Sequence, residues 1–334
     1  MRAPAFWQAP RPSALARLLQ PAGALVGALA ARRMARAGER AAVPVICIGN
    51  PTVGGAGKTP TALAIAEHLA LLGPQAVFLT RGYGGRLAGP EWVVPGQHGA
   101  GDVGDEPLLL ARHAPTVLSR DRVAGAAMAA AGSAGVVVMD DGLQNPGLAK
   151  DLSLAVIDAG AGIGNGLVLP AGPLRAPLRA QWPRIDALVV LGEGERAEGV
   201  AGEARALGKP VLRARLVPDP VIASRLEGVR VLAFAGIGRP AKFFRTLDDL
   251  GAQVVARESF PDHHPFTARE IEAMTARAAG DGLLPVTTEK DMMRIAALRV
   301  PRLMERIVAL PVRAVFSDEA ALRALLGRAL ARGA

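Results

Sequence analysis

Cysteine occurs once in these 334 residues, at Cys47, so no disulfide can form within the chain and a reducing compartment suits it. Cys47 lies inside an apolar run and reads as a small buried hydrophobe. With only five histidines beside it, no Cys/His cluster of the kind that holds structural zinc is present. Aromatic residues make up 4% of the chain, and tyrosine occurs only at Tyr83. The formal charge is +9, but the arginines are scattered and aromatic platforms are few, so charge alone supports a nucleic-acid-binding module and no nucleic-acid partner is expected. Lysine is confined to Lys58, Lys150, Lys209, Lys242 and Lys290, and the preference for arginine reads as a bias of composition. The one uninterrupted apolar stretch near the start, Pro21 to Ala31, is shorter than the ~20 residues of a spanning helix.

Half of the residues are hydrophobic, enough for a sizeable core, and the length favours two domains. Around that short apolar stretch, residues 12–37 read as an amphipathic helix with a cationic border of Arg32, Arg33, Arg36 and Arg40. This composition fits a helix lying in a membrane interface. A signal peptide and an ordinary packed helix are the rival readings. Continuous Val/Ile/Leu/Ala runs mark strands covered on both faces. They fall at Val43–Ile48, Ala76–Leu79, Thr116–Leu118, Val136–Met139, Leu152–Ile157, Ala187–Leu191, Val211–Leu216 and Val229–Ala235. Helical stretches such as Arg122–Ala131 and Pro240–Leu250 alternate with them, which predicts an α/β fold with a mainly parallel sheet. Val217-Pro218-Asp219-Pro220 breaks the pattern, so the expected domains are 1–225 and a smaller α/β unit over 226–334. The second unit would carry Gln253–Arg257, Leu284–Thr287 and Ile307–Val312 as strands and close on a helix over Leu322–Ala331.

What is most telling is the junction after the first strand. Val45 to Gly49 feeds Gly54-Gly55-Ala56-Gly57-Lys58-Thr59-Pro60, and an amphipathic helix follows. Strand, glycine-rich turn and helix are the context of a phosphate-binding P-loop. Glycines let backbone N–H groups converge on phosphate oxygens, Lys58 would reach the β/γ-phosphates, and the Thr59 hydroxyl would hold Mg²⁺. Pro60 is compatible, because the first helical turn has no N–H bond to lose. Val136–Met139 ends in Asp140-Asp141-Gly142, an acidic strand end able to hold Mg²⁺, although the same residues also make a turn. Ile157-Asp158 is a competing strand end with one acid. Gly104-Asp105-Glu106-Pro107 enters a helix, so its acids are either caps or a base and a metal-shell acid. Asp262-His263-His264 offers an acid–imidazole pair that could tune a base at neutral pH. Thr288-Glu289-Lys290-Asp291 opens a helix after a strand and could contact adenine or ribose, while Arg81 and Arg175 sit in loops that could clamp phosphate.

Taken in order, these segments resemble the tetraacyldisaccharide 4'-kinase family of lipid A biosynthesis over about Ala14 to Val312. The resemblance rests on Gly49-Asn50 leading to Gly-Gly-Ala-Gly-Lys-Thr-Pro, on Arg81-Gly82-Tyr83-Gly84, and on Gly104-Asp105-Glu106-Pro107. It continues through Asp140-Asp141-Gly142-Leu143-Gln144, Leu169–Arg175, Phe260-Pro261-Asp262-His263 and Thr288-Glu289-Lys290-Asp291. It implies a P-loop kinase domain facing a smaller domain across a cleft. The reaction implied moves the γ-phosphate of ATP to the 4'-hydroxyl of a tetraacylated glucosamine disaccharide 1-phosphate. The protein would be peripheral, on the cytoplasmic face of the inner membrane, with no obligate protein partner. By the same resemblance Asp105 is the base and His263 its partner, with Asp262, Lys58 and Arg122 also catalytic. Gly54 to Pro60, Glu289 and Lys290 would bind the nucleotide, and Thr59, Glu106, Asp140 and Asp141 the metal. Asn145-Pro146 departs from the aromatic-bearing sequence usual after Gln144. A deviant P-loop ATPase is the alternative, but those carry a lysine just before the Gly-Gly pair, where this chain has Val53.

Overall fold

The computed structural model describes residues 4–333; residues 1–3 and 334, which fall in the expected N-terminal and C-terminal spans, lie outside it. Thirteen strands form two sheets among the described residues. In chain order they are β1 (Val45–Gly49), β2 (Ala76–Thr80), β3 (Glu91–Trp92), β4 (Thr116–Leu118), β5 (Val136–Asp140), β6 (Leu152–Asp158) and β7 (Ala187–Leu191). They continue with β8 (Val211–Pro218), β9 (Arg230–Ala235), β10 (Gln253–Ser259), β11 (Leu284–Thr288), β12 (Val308–Leu310) and β13 (Val312–Phe316). The large sheet has the order β13-β8-β7-β6-β1-β5-β2-β4-β3, parallel except for its two edge strands. The second sheet, β10-β9-β11-β12, is parallel throughout.

Every residue of β1, β2, β5, β6 and β7 is buried, as continuous apolar runs require when helices cover both faces. On one face Ile46, Ile48, Phe78, Val138 and Leu154 pack with Ala62, Ile65 and Leu69 of the helix Lys58–Leu72. That helix is buried on more than one side, because Leu322, Leu325 and Leu326 of the C-terminal helix Glu319–Gly333 cover it from outside. It is therefore less one-sided than the sequence suggests.

The C-terminal boundary expected at 226–334 is corrected. The run Ile307–Val312 is not one strand: Pro311 separates β12, in the second sheet, from β13, which returns to pair antiparallel with β8. Proline has no N–H for either ladder, so the chain changes sheets there. The second unit thus holds the sheet strands between Arg230 and Leu310, and the final helix belongs to the large sheet. An apolar pattern cannot reveal that switch, since both destinations are buried.

The helix Ala14–Met34 begins on an N-cap, where Ser13 Oγ accepts from Ala16 N at 3.2 Å, and runs on through Pro21. It buries Ala16, Gly23, Gly27 and Met34 against the large unit. A Cβ at Gly23 would come within 2.8 Å of Val168 O, so only glycine permits this approach, and one at Gly27 would press on Pro177 at 3.1 Å. Leu15, Leu18, Leu25, Val26 and Leu29 face outward, Leu18 at 77% exposure. The continuous helix is longer than the apolar stretch from Pro21 to Ala31, and by length and composition alone it is long enough to cross a membrane.

Candidate active site

All the parallel strands of the large sheet end at one edge, and that edge collects the functional side chains. After β1 the chain turns through Gly54 and Gly57, both at positive φ, with Gly57 as the left-handed cap of the helix starting at Lys58. The turn is held in shape by its neighbours. Asn50 Nδ2 donates to Gly54 O at 3.3 Å, Arg175 Nε to Thr52 O at 3.0 Å, and Gln144 Nε2 to Asn50 O at 2.8 Å. Lys58 Nζ donates to Asn50 Oδ1 at 3.3 Å and lies 3.8 Å from Asp141 Oδ1. Arg175 closes the same carboxylate from the other side, at 3.0 Å to Oδ2. Despite burial, these two cations keep Asp141 below the usual carboxylate range.

Asp140 ends β5 beneath this arrangement. Burial, and then the charge of Glu106, push its pKa up to about 7, and Lys58 only partly offsets them. Asp140 Oδ1 and Asp141 Oδ1 are buried without a hydrogen-bond donor. Two orphaned carboxylate oxygens, one of them 3.8 Å from Lys58 Nζ, are a donor set that suits a hard divalent cation. No three His, Cys, Asp or Glu side chains converge on one point among the described residues. This fits Mg²⁺ of the kind held by one or two carboxylates together with substrate phosphates. Arg122 lies buried in the same neighbourhood, NH1 donating to Ser119 O at 2.5 Å. Burial lowers its pKa to about 10 against the opposing pull of Asp140 and Asp141.

Opposite stands the second unit. Gly104, at φ 92°, caps the short helix Asp105–Ala111 and turns Asp105 inward, 3% exposed. His263, itself at φ 56°, brings Nδ1 to 3.2 Å from Asp105 Oδ2. The hydrogen bond to Asp105, and then its charge, raise the imidazole pKa against the effect of burial. Tyr83 lies over the same ring, centroids 5.2 Å apart, and Asp262 Oδ1 is 3.9 Å from His263 Nε2. Lys290 Nζ reaches Glu106 at 2.5 Å, and the two hold each other charged despite burial.

One functional side chain escaped the sequence reading. Arg294 Nε donates to Asp105 Oδ2 at 2.9 Å, and its NH1 donates to Asp291 Oδ1 and Gly236 O, each at 2.9 Å. Asp291 also accepts from Gly236 N at 3.0 Å. The only available signal was the i, i+3 spacing of Asp291 and Arg294 on one helix face. Glu289 opens the helix Glu289–Ala296 close to Val312, His113 and Arg112, while Lys290 on the next position reaches Glu106. Asp158, the competing strand end, lies apart from Asp140 and pairs with Arg239 and Lys242.

A parallel sheet with a lysine-bearing glycine turn after its central strand, and an acidic strand end beside it, defines the P-loop kinase class. Residues 15–331 match the family model described as tetraacyldisaccharide-1-P 4'-kinase. A tetraacyldisaccharide 4'-kinase of Methylobacterium sp. (strain 4-46) is 57% identical, over 100% of this chain and 99% of the relative. One from Nitrobacter winogradskyi is 53% identical, over 99% and 98%. The crystal structure of LpxK from Aquifex aeolicus in complex with ATP superposes with a TM-score of 0.73 at 27% identity, covering 95% of this chain and 99% of that one. The chain belongs to the tetraacyldisaccharide 4'-kinase family.

Proposed function

We propose that this chain transfers the γ-phosphate of ATP to the 4'-hydroxyl of a tetraacylated glucosamine disaccharide 1-phosphate, giving lipid IVA. The observation that carries this reading is the pair Asp105–His263, built from both units across from Lys58. Phosphoryl transfer asks little covalent chemistry of a protein, so positioning and charge stabilisation dominate. Lys58 and the amides of the loop Gly54 to Gly57 would bind the phosphate tail, with Arg175 beside them. Ionised Asp105 accepts from His263 Nδ1, which orients the imidazole and stabilises its protonated form. The pair can thereby take the proton of the attacking alcohol. Asp262, on the cleft side of His263, adds a second negative charge near that ring. Arg122 sets the charge balance beneath the acids, and Lys290 does the same for Glu106. Thr59, Asp140 and Asp141 would hold Mg²⁺, with Glu106 close by, and when bound that ion neutralises charge on the phosphate oxygens.

The outward leucines of Ala14–Met34, followed by Arg36 and Arg40, support contact with the anionic cytoplasmic leaflet, where such a substrate is found. Val53 before the glycine pair argues against a deviant P-loop ATPase. The test is direct: purified protein, labelled ATP, Mg²⁺ and the disaccharide lipid should yield a new phosphorylated glycolipid. No product from wild type, or undiminished product from Lys58→Ala, overturns the reading.

A further inference from the structure

The two units face each other by charge. Among the described residues, every salt bridge between them puts the acid on the large unit and the base on the second. Asp105 pairs with His263 and Arg294, Glu106 with Lys290, and Asp158 with Arg239 and Lys242. The first two belong to the site itself. The third does not. Asp158, at the end of β6 and 8% exposed, uses both oxygens: Oδ1 lies 2.9 Å from Arg239 NH1, and Oδ2 is 2.7 Å from Lys242 Nζ. Oδ1 also accepts from Gly160 N and Ala161 N at 3.1 Å, which fixes the carboxylate before the second unit meets it. Between the two ionic footholds lies the phosphate loop. A Cβ on Gly238 would sit 3.6 Å from Gly55 N and 3.3 Å from Asp262 Oδ2, so the segment carrying Arg239 closes directly over the loop.

We propose that Asp158 is a positioning residue for phosphoryl transfer: through Arg239 and Lys242 it docks the second unit on the phosphate loop and so brings His263 to Asp105. The proposal rests on the kinase reading, but Asp158 touches neither the phosphate loop nor the acid–imidazole pair. Unlike the other footholds, this one can be removed without altering the machinery.

Spin labels on Leu71→Cys and Val255→Cys, both exposed and one on each unit, report docking independently of turnover. Native Cys47 is buried, with its thiol pushed up to about 12, and does not compete for label. With a non-hydrolysable ATP analogue and Mg²⁺ the parent should give one narrow distance. Asp158→Asn should broaden and lengthen it and lower kcat/KM on the order of ten- to a hundredfold. The double variant Arg239→Gln, Lys242→Met leaves the turn around Asp158 intact and should do the same. Combining all three changes should cost no more than either set alone. Unchanged distances in both variants, or losses that multiply, overturn the proposal. Should the parent transfer no phosphate, the kinase reading fails, while the distances still judge the docking role.

Discussion

Arg294 Nε and Asp105 Oδ2, from different units, stand 2.9 Å apart, each almost wholly buried. Burial alone would raise the Asp105 pKa. The His263 hydrogen bond and the charges of Arg294 and Lys290 outweigh it and hold the carboxyl well below the ordinary range. Replacing Arg294 with Gln keeps a donor but removes the charge, so Asp105 should protonate at higher pH. The acidic limb of kcat/KM against pH should therefore move upward in Arg294→Gln, with Arg294→Lys intermediate. Steady-state rates carried down to pH 3 test this, and an unmoved limb would leave Arg294 a purely structural role.

Lys58 is the one lysine of the phosphate turn, between Asn50 and Asp141. Its loss removes a charge placed where negative charge develops in transfer. Lys58→Ala should lower kcat by about 10²–10³. Thermal melting should change little, since Arg175 still pairs with Asp141. Product formation from labelled ATP measures the first effect and a melting curve the second.

How far the sequence carried depended on whether the interactions were local. The phosphate turn, Asp140 at a strand end and Asp105 at a helix start are each written within a dozen residues, so spacing drew attention to them, while the roles given to Asp105 and Asp140 came from the resemblance. The meeting of His263 with Asp105 spans 158 positions and came from family resemblance, not from physics. Arg294 was invisible because its three partners, Asp105, Gly236 and Asp291, come from three separate segments. Glu289 and Lys290 are adjacent yet meet different neighbours, because successive residues at a helix start point in different directions and sequence does not say which faces the cleft. The apolar run through Pro311 concealed the change of sheet, because burial pattern reports that a strand is covered but not by what.

Glu106 and Lys290 are less than a third exposed and 2.5 Å apart. Lys290→Met would strand a buried carboxylate close to Asp140, whereas removing both charges leaves nothing unpaired. The single variant should lose about 3–5 kcal/mol. The double variant Glu106→Gln, Lys290→Met should recover most of that. Chemical denaturation of wild type, Glu106→Gln, Lys290→Met and the double variant measures the coupling, and equal losses in Lys290→Met and the double variant would contradict it.

The outward face of the helix Ala14–Met34 is dispensable for folding if its partner is lipid. Leu18→Ser with Leu25→Ser and Leu29→Ser should leave the melting temperature within about 1–2 °C, because these side chains are already exposed. Binding to vesicles containing phosphatidylglycerol should weaken at least tenfold. Gly27→Leu should do the reverse, destabilising the protein by collision with Pro177. Co-sedimentation and melting curves separate the two outcomes.

Asp140 makes stability depend on pH in a direction opposite to that of an ordinary carboxylate. Its folded pKa is raised to about 7 from 3.8, so over that interval the folded state holds a proton that the unfolded chain has released. By linkage, stability contributed by this group is present below about pH 4 and is lost as pH rises toward 7. Asp105 and Asp141, held low, work the other way, but their contributions are complete above about pH 4 and stay constant across the interval. His263, with its pKa raised, keeps its contribution through pH 6.5 and loses it only above. Asp291 and Glu289, also raised by burial, act in the same direction as Asp140, and between pH 4.5 and 6.5 the three together should show as a fall of a few °C in melting temperature. Asp140→Asn should reduce that slope, since an amide has no proton to lose. Mg²⁺ with nucleotide should reduce it too, if a cation takes the place of the proton on Asp140. Melting curves at four pH values, with and without the pair of ligands, test both statements. A slope identical in wild type and Asp140→Asn would assign the titration to other groups.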